Sequence, residues 1–195
     1  GGVLGRVNAP DITPAGLAAR GWTADDLQAF IATGIAKQGS AFGEMYPVIH
    51  LSTQYMTSDD VHDMAVYLLG EQAPAPQSLP APPADNAQLQ TGHKLYIATC
   101  AGCHGMSGEG KPRVAVATLG NSTVRQKDPH NLLVAILNGI PAQDFPGNES
   151  MQRMPGFAKT LSDDEIAQLA NYLRARNGQP ADVAATTVHA LRQQQ

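Results

Sequence analysis

Cysteine occurs at only two of the 195 positions, and both fall in one run, Cys100-Ala101-Gly102-Cys103-His104. The Cys-x-x-Cys-His spacing sets two thiols about one turn apart and places an imidazole beside the second. Such thiols can form thioether bonds to the two vinyl groups of one haem, and the histidine then supplies the proximal iron ligand. That is the chemistry of covalent c-type haem, and it points to a chain that carries electrons. Other uses of the thiols fit less well. A structural zinc site needs a second Cys/His pair at finger or ribbon spacing, and no further cysteine exists. A thioredoxin-like dithiol belongs where a strand feeds a helix, whereas the flanks here read as helical and Gly-rich. A disulfide between cysteines this close would close too small a loop to contribute much.

The far face of the iron needs a second ligand. Met154 is the leading candidate, in Met151-Gln152-Arg153-Met154-Pro155-Gly156-Phe157. Proline after it biases the methionine towards an extended backbone, which suits a loop laid across a ring. A thioether is a soft ligand that favours ferrous iron. Met151 is the rival, and Met106 is too near His104 in sequence to reach the opposite face. His93, His130 and His189 read as surface or hydrogen-bonded histidines, with bis-histidine ligation a minor alternative. The second ring nitrogen of His104 needs a backbone carbonyl, expected from Lys111 to Gly120. Arg125 and Arg153 are candidates for the haem propionates, although ordinary surface placement suits them equally.

The elements that position these groups are readable. A helix from Leu89 to Thr99 leads into the cysteine motif, with Gly92 and Tyr96 on one face. The glycine admits a close neighbour, and Tyr172 and Leu173 on the last helix are the natural partners. Both tyrosines read as packing residues. The last helix opens on Ser162-Asp163-Asp164-Glu165, a capping box.

Part of this pattern occurs twice. At an offset of 105 residues, Leu27, Ile31, Gly34 and Ile35 match Leu132, Ile136, Gly139 and Ile140, and Met64, Ala65, Tyr67 and Leu68 match Leu169, Ala170, Tyr172 and Leu173. Repetition on this scale indicates a duplicated domain. In each copy a helix ends at the glycine, a loop carries a methionine, and a second helix follows; Met45 occupies the place of Met154. The first copy lacks a haem motif, whose counterpart would fall before residue 1. The sequence therefore reads as a fragment of a longer protein, and Met45 as the distal ligand of a haem attached outside it. Between the copies, residues 71–86 hold five prolines and form a semi-extended linker. The expected organisation is a partial domain over 1–70, the linker, a complete domain over 87–178 and a tail over 179–195.

Aromatic residues make up only 5% of the chain, a thin supply of large core side chains that a buried haem would supplement. Residues 1–80 carry three basic and eight acidic side chains, residues 81–195 ten and nine. No basic stripe suggests nucleic acid, and no run of 18 apolar residues spans a membrane. The chain begins Gly-Gly-Val, as a mature exported protein would once its signal is removed. Thioether attachment of haem implies the bacterial periplasm or an equivalent compartment.

With these residues in hand, the chain resembles the three-haem cytochrome c subunits of bacterial membrane-bound alcohol, aldehyde and gluconate dehydrogenases. The likeness covers nearly its whole length. It rests on Ala9-Pro10-Asp11-Ile12-Thr13-Pro14, Gly43-Glu44-Met45, Leu95-Tyr96 through His104, Leu119-Gly120-Asn121-Ser122-Thr123-Val124, Met154-Pro155-Gly156-Phe157, Leu161 through Arg174, and Ala181 to Arg192. The resemblance implies an all-α cytochrome c fold, one complete domain plus the C-terminal half of a second. It implies haem c held by Cys100, Cys103, His104 and Met154. It also implies a dehydrogenase catalytic subunit as partner, ubiquinone or another acceptor downstream, and peripheral association with the periplasmic face of the inner membrane. The family usually has prolines just before the Leu-Ala-Gly-Asn stretch, where this chain has Val116-Ala117-Thr118; a carbonyl from Ala117 is the expected substitute. The expected role is electron transfer without substrate chemistry, because His/Met iron has no open position. A diffusible cytochrome c donating to an oxidase is the alternative, and a haem peroxidase is less favoured because no second motif is present.

Overall fold

A short antiparallel hairpin, β1 (Val3–Leu4) and β2 (Val7–Asn8), opens the chain. The computed structural model describes residues 2–81 and 86–194; positions 82–85 of the expected linker, with Gly1 and Gln195, lie outside them. Helix α1 (Pro14–Ala19) starts at Thr13, whose side chain accepts from Gly16 N, with proline at the first helical position. Helix α2 (Ala24–Thr33) is capped by Thr23 and ends at Gly34. A two-residue hairpin follows, β3 (Ile35–Ala36) with β4 (Gly39–Ser40). Then come α3 (Met45–Leu51) and α4 (Ser58–Leu69), the latter capped by Thr57.

In the second half, α5 (Gln90–Thr99) leads into the single turn α6 (Ala101–His104). Helix α7 (His130–Asn138) is followed by the hairpin β5 (Gln143–Phe145) and β6 (Glu149–Met151). Helices α8 (Asp163–Arg176) and α9 (Ala185–Arg192) complete the chain. The fold is thus mostly α, with three small ladders among the described residues that the all-α expectation did not include. No helix among the described residues is long and apolar enough to cross a membrane.

The second half has the larger core, built where α5, α7, α8 and α9 meet: Leu133, Ile166, Leu169 and Val188 have no measurable exposure. The crossing of α5 and α8 is close because Gly92 has no side chain. A Cβ there would lie 2.2 Å from Gln168 O and 2.7 Å from Tyr172 Cβ. Tyr96 and Tyr172 meet beside it with ring centroids 5.6 Å apart.

The expected tail is not separate from this core. Val188 and Leu191 of α9 are buried in it, and Asn171 exchanges two hydrogen bonds with Val183. Arg192 Nε donates to Asp163 Oδ1 at 2.7 Å, its other nitrogens donate to the Ala158 and Leu161 carbonyls, and His189 Nδ1 stands 3.0 Å from Asp163 Oδ2. Hydrogen bonding from Arg192 holds the Asp163 carboxyl below its ordinary value of 3.8. A carboxyl with a depressed folded-state pKa stabilises the fold above its unfolded pKa and loses that contribution as pH falls through the folded value. The α9 clasp is therefore expected to loosen below about pH 4. Pepsin digestion over a descending pH series should release the 179–195 segment more readily in wild type as pH drops. Asp163→Asn should remove most of that dependence.

The matched helices of the first half form the corresponding pair: α2 packs on α4 around Leu27, Ala65 and Leu69. The copies differ on the outer face. Tyr172 is 7% exposed beneath α5, whereas its counterpart Tyr67 is 86% exposed, and Met64 is 37% exposed where Leu169 is fully buried. Residues 73–81 carry no helix or strand, and they are pinned. Gln77 N donates to Ala18 O and Gln77 O accepts from Arg125, so the strap ties both halves together.

Candidate functional site

The end of α5 delivers the cysteine motif. Backbone N–H groups of Cys103 and His104 both donate to Cys100 O, at 3.1 and 2.9 Å, so the motif winds into one further turn. Both thiols are free; Cys100 is half-buried and Cys103 exposed. Burial pushes the Cys100 thiol upward, opposite to the shift that activates a redox dithiol. Among the described residues no group of three or more His, Cys, Asp or Glu side chains is clustered to hold a metal ion.

His104 Nδ1 lies 2.7 Å from Val116 O and donates to it. Burial lowers the pKa of this imidazole, against the opposing effect of that hydrogen bond. The ring is therefore held neutral, with Nε2 as the free electron pair and without a protein partner among the described residues. This is the ligating form, and the carbonyl behind it fixes ring orientation and raises basicity. The carbonyl comes from the expected segment, but from Val116 and not Ala117. Ala117 O instead accepts from Asn121 Nδ2 at 3.1 Å.

Three further contacts fix the loop that supplies Val116. Gly110 N donates to His104 O at 2.7 Å, and Thr118 N and Leu119 N both donate to Gly108 O. Tyr96 Oη donates to Gly105 O at 2.6 Å, so this tyrosine braces the motif as well as packing the core. Asn177, at the end of α8 and 2% exposed, accepts from Gly120 N at 2.7 Å and donates to Thr118 O and Leu173 O. Sequence reasoning passes over Asn177; its only signal is an amide residue just past a helix end. Asn177→Ala leaves buried backbone groups unpaired and should cost about 1–3 kcal/mol, read in urea unfolding.

Met154 is half-buried on an extended segment. Its backbone pairs with Ile140 in both directions, Met154 N to Ile140 O at 2.9 Å and Ile140 N to Met154 O at 3.0 Å. The approach requires Gly139, at φ +72°, because a Cβ there would meet Met154 O at 2.4 Å. Gln152 N donates to Val114 O at 2.9 Å. One stretch, Val114 to Val116, thus touches both the His104 side and the methionine loop. Met151, the rival, sits in β6 and packs against the Ala41–Ile49–Phe145 cluster.

Other candidates lie elsewhere. His93 stacks on Tyr172 at 5.1 Å, His130 Nε2 bonds Arg6 O, and His189 faces Asp163. Arg153 is exposed. Arg125 is not a surface residue: it is buried at the junction of the halves, donating to Ala19 O and Gln77 O. Met45 is the first residue of α3, 42% exposed, and not part of an extended loop. Ile35, the counterpart of Ile140, pairs with Ser40.

The donor set suits haem: two free thiols, a neutral imidazole with one nitrogen tied back, and a thioether on a braced strand. Comparison with known proteins agrees. Residues 89–177 match the family Cytochrome c. The chain is 32% identical to the cytochrome c subunit of a quinone-type alcohol dehydrogenase from Gluconacetobacter polyoxogenes, over 88% of this chain and 39% of that protein. It is 30% identical to the gluconate 2-dehydrogenase cytochrome c subunit of Pantoea cypripedii, over 88% of this chain and 41% of that protein. It is 29% identical to the fructose dehydrogenase cytochrome subunit of Gluconobacter japonicus, over 98% of this chain and 45% of that protein. The chain therefore spans less than half the length of these relatives. The class is a mostly-α cytochrome c domain whose chemistry is electron transfer through covalently bound c-type haem. Residues 89–177 match a cytochrome c domain, and the chain is similar over most of its length to cytochrome subunits of bacterial dehydrogenases.

Proposed function

We propose that this chain relays electrons from a dehydrogenase catalytic subunit towards ubiquinone or another acceptor, in a complex at the periplasmic face of the bacterial inner membrane. Cys100 and Cys103 attach the haem, His104 binds iron proximally and Met154 distally. The observation that carries the reading is the His104–Val116 hydrogen bond at 2.7 Å beside two free thiols. When bound, the haem supplies a one-electron couple. The chain's own residues set its environment: Val116 orients His104, Tyr96 and Asn177 hold the loop, and Gly139 lets the Met154 strand close in.

Residues 1–70 are the C-terminal half of a further cytochrome c domain, with Met45 the distal ligand of a haem attached outside this sequence. The bare face of α4 around Met64 and Tyr67 supports this, because α5 covers the equivalent face in the second copy. Names of the relatives support a dehydrogenase partner, and thioether attachment supports the periplasm. A diffusible cytochrome donating to an oxidase is the competing reading.

The test is purification of the native protein from membranes. Haem reduction on adding the partner's substrate, followed by reoxidation by a ubiquinone analogue, supports the relay. A haem reduced by no co-purifying dehydrogenase, yet oxidised by an oxidase, supports the alternative. A high-spin ferric spectrum would contradict both readings and favour an enzyme.

A further inference from the structure

Phe145, in the hairpin that leads to Met154, has its ring seated in the other half of the chain. It is 6% exposed and lies over Gly34, the residue at which α2 ends. A Cβ at Gly34 would meet Phe145 Cδ1 at 2.7 Å and Cε1 at 2.8 Å. Tyr46, in α3, packs edge-on against the same ring with centroids 5.7 Å apart. Its Oη donates to Asp144 O at 3.0 Å and accepts from Asp144 N at 3.3 Å. Phe145 and Met151 both pack in the cluster with Ala41 and Ile49 of the first half, not in the core shared by α5, α7, α8 and α9.

The hairpin therefore has two ends with different anchors. Along the ladder Phe145 faces Glu149, Gln143 faces Met151, and the pair Ile140 and Met154 closes the base. The outer end sits on the first half, and the base carries the methionine. The repeat shows the same device twice. Gly34 and Gly139 are counterparts at the offset of 105, and each leaves room for an incoming group: the Phe145 ring at Gly34, Met154 O at Gly139. A close-packed ring in such a hole cannot shift without moving its neighbours.

We propose that the β5–β6 hairpin is a strut through which the first half sets the distal strand of the second, with Phe145, Tyr46 and Gly34 as positioning residues for Met154. Met45 directly precedes Tyr46 in the sequence, so the strut links the two candidate methionines. The proposal rests on Met154 being the distal ligand, as read above.

The test titrates ferric holoprotein with imidazole, which competes with a thioether for iron, and follows loss of the thioether absorption band. Met154→Ala identifies the share of that band due to this haem. A band unchanged by Met154→Ala overturns the ligand reading, and this proposal with it; the other outcomes concern the strut alone. Phe145→Ala should raise imidazole affinity by roughly tenfold, a typical size for coupling between two sites, and Tyr46→Phe should act in the same direction. Gly34→Ala forces the ring off its seat and should also raise affinity, but add nothing once Phe145 is alanine. Val188→Ala, in the core away from the hairpin, should lower the urea midpoint and leave imidazole affinity unchanged. Coupling is reciprocal, so saturating imidazole should speed hydrogen exchange at the Asp144 amide of the wild type, a measurement that needs no variant to fold. Folded Phe145→Ala and Tyr46→Phe proteins with wild-type imidazole affinity, or an Asp144 amide indifferent to imidazole, overturn the proposal.

Discussion

Met154→Ala, made in the holoprotein, is expected to lower the reduction potential by on the order of 0.1–0.2 V, within the ~0.8 V range that axial ligation spans. A thioether favours ferrous iron, and alanine offers no donor to replace it. The absorption band of ferric thioether ligation should disappear with the fall, and ferrous protein should gain affinity for carbon monoxide at the vacated position. The backbone pairing of Met154 with Ile140 does not involve the side chain, so the loop should persist and circular dichroism should change little. The same substitution at Met151 serves as the contrast. That side chain packs against the Ala41–Ile49–Phe145 cluster, and its loss should reduce stability while leaving the potential near that of wild type. A potential unmoved by Met154→Ala would remove Met154 from the ligand set.

Gly92→Val carries the largest structural effect. The first atom of any side chain there falls 2.2 Å from Gln168 O, a backbone atom with nowhere to go, and 2.7 Å from Tyr172 Cβ. Helices α5 and α8 would have to separate, opening the Tyr96–Tyr172 contact and loosening the Tyr96 bond to Gly105 beside His104. Overpacking of this kind costs about 3 kcal/mol, more than any gain in helix propensity returns, which is about 1 kcal/mol for replacing glycine. Urea unfolding should show a lower midpoint, and haem incorporation during expression should fall with it. Gly92→Ala tests the same contact with one carbon. A Gly92→Ala protein as stable as wild type would show that the helices do not cross this closely.

Much of this site is legible in the residues because its chemistry is local. The proposed attachment occupies five consecutive positions, and the turn that carries them needs only hydrogen bonds to Cys100 O. The α5–α8 crossing is also readable, since a glycine four residues before a tyrosine marks a close face whatever covers it. Contacts set by loop paths are not readable. Val116, not Ala117, supplies the carbonyl because the 108–119 loop folds back on Gly108, a register that no periodicity encodes. Asn177 reaches across from the end of α8 for the same reason. The repeat predicts a loop at Met45, yet this residue starts a helix. The flanking helices keep the offset of 105, but the exact counterpart of Met154 is then Ile49 (154 − 105 = 49), and Met45 lies four positions before it. Arg125 looks like any surface arginine in sequence. Its burial follows from the packing of the linker and α1 against the second half. The tail at 179–195 holds few large apolar residues, but Val188 and Leu191 fall on one face of α9 and meet the core there.

The most direct test of the central claim is the mass of the denatured polypeptide, purified from a host that matures c-type cytochromes. Covalent haem on Cys100 and Cys103 predicts a fragment containing residues 100–104 that is heavier by one haem and retains haem absorbance in denaturant. The same fragment at its bare polypeptide mass, with both thiols open to alkylation, would contradict the account.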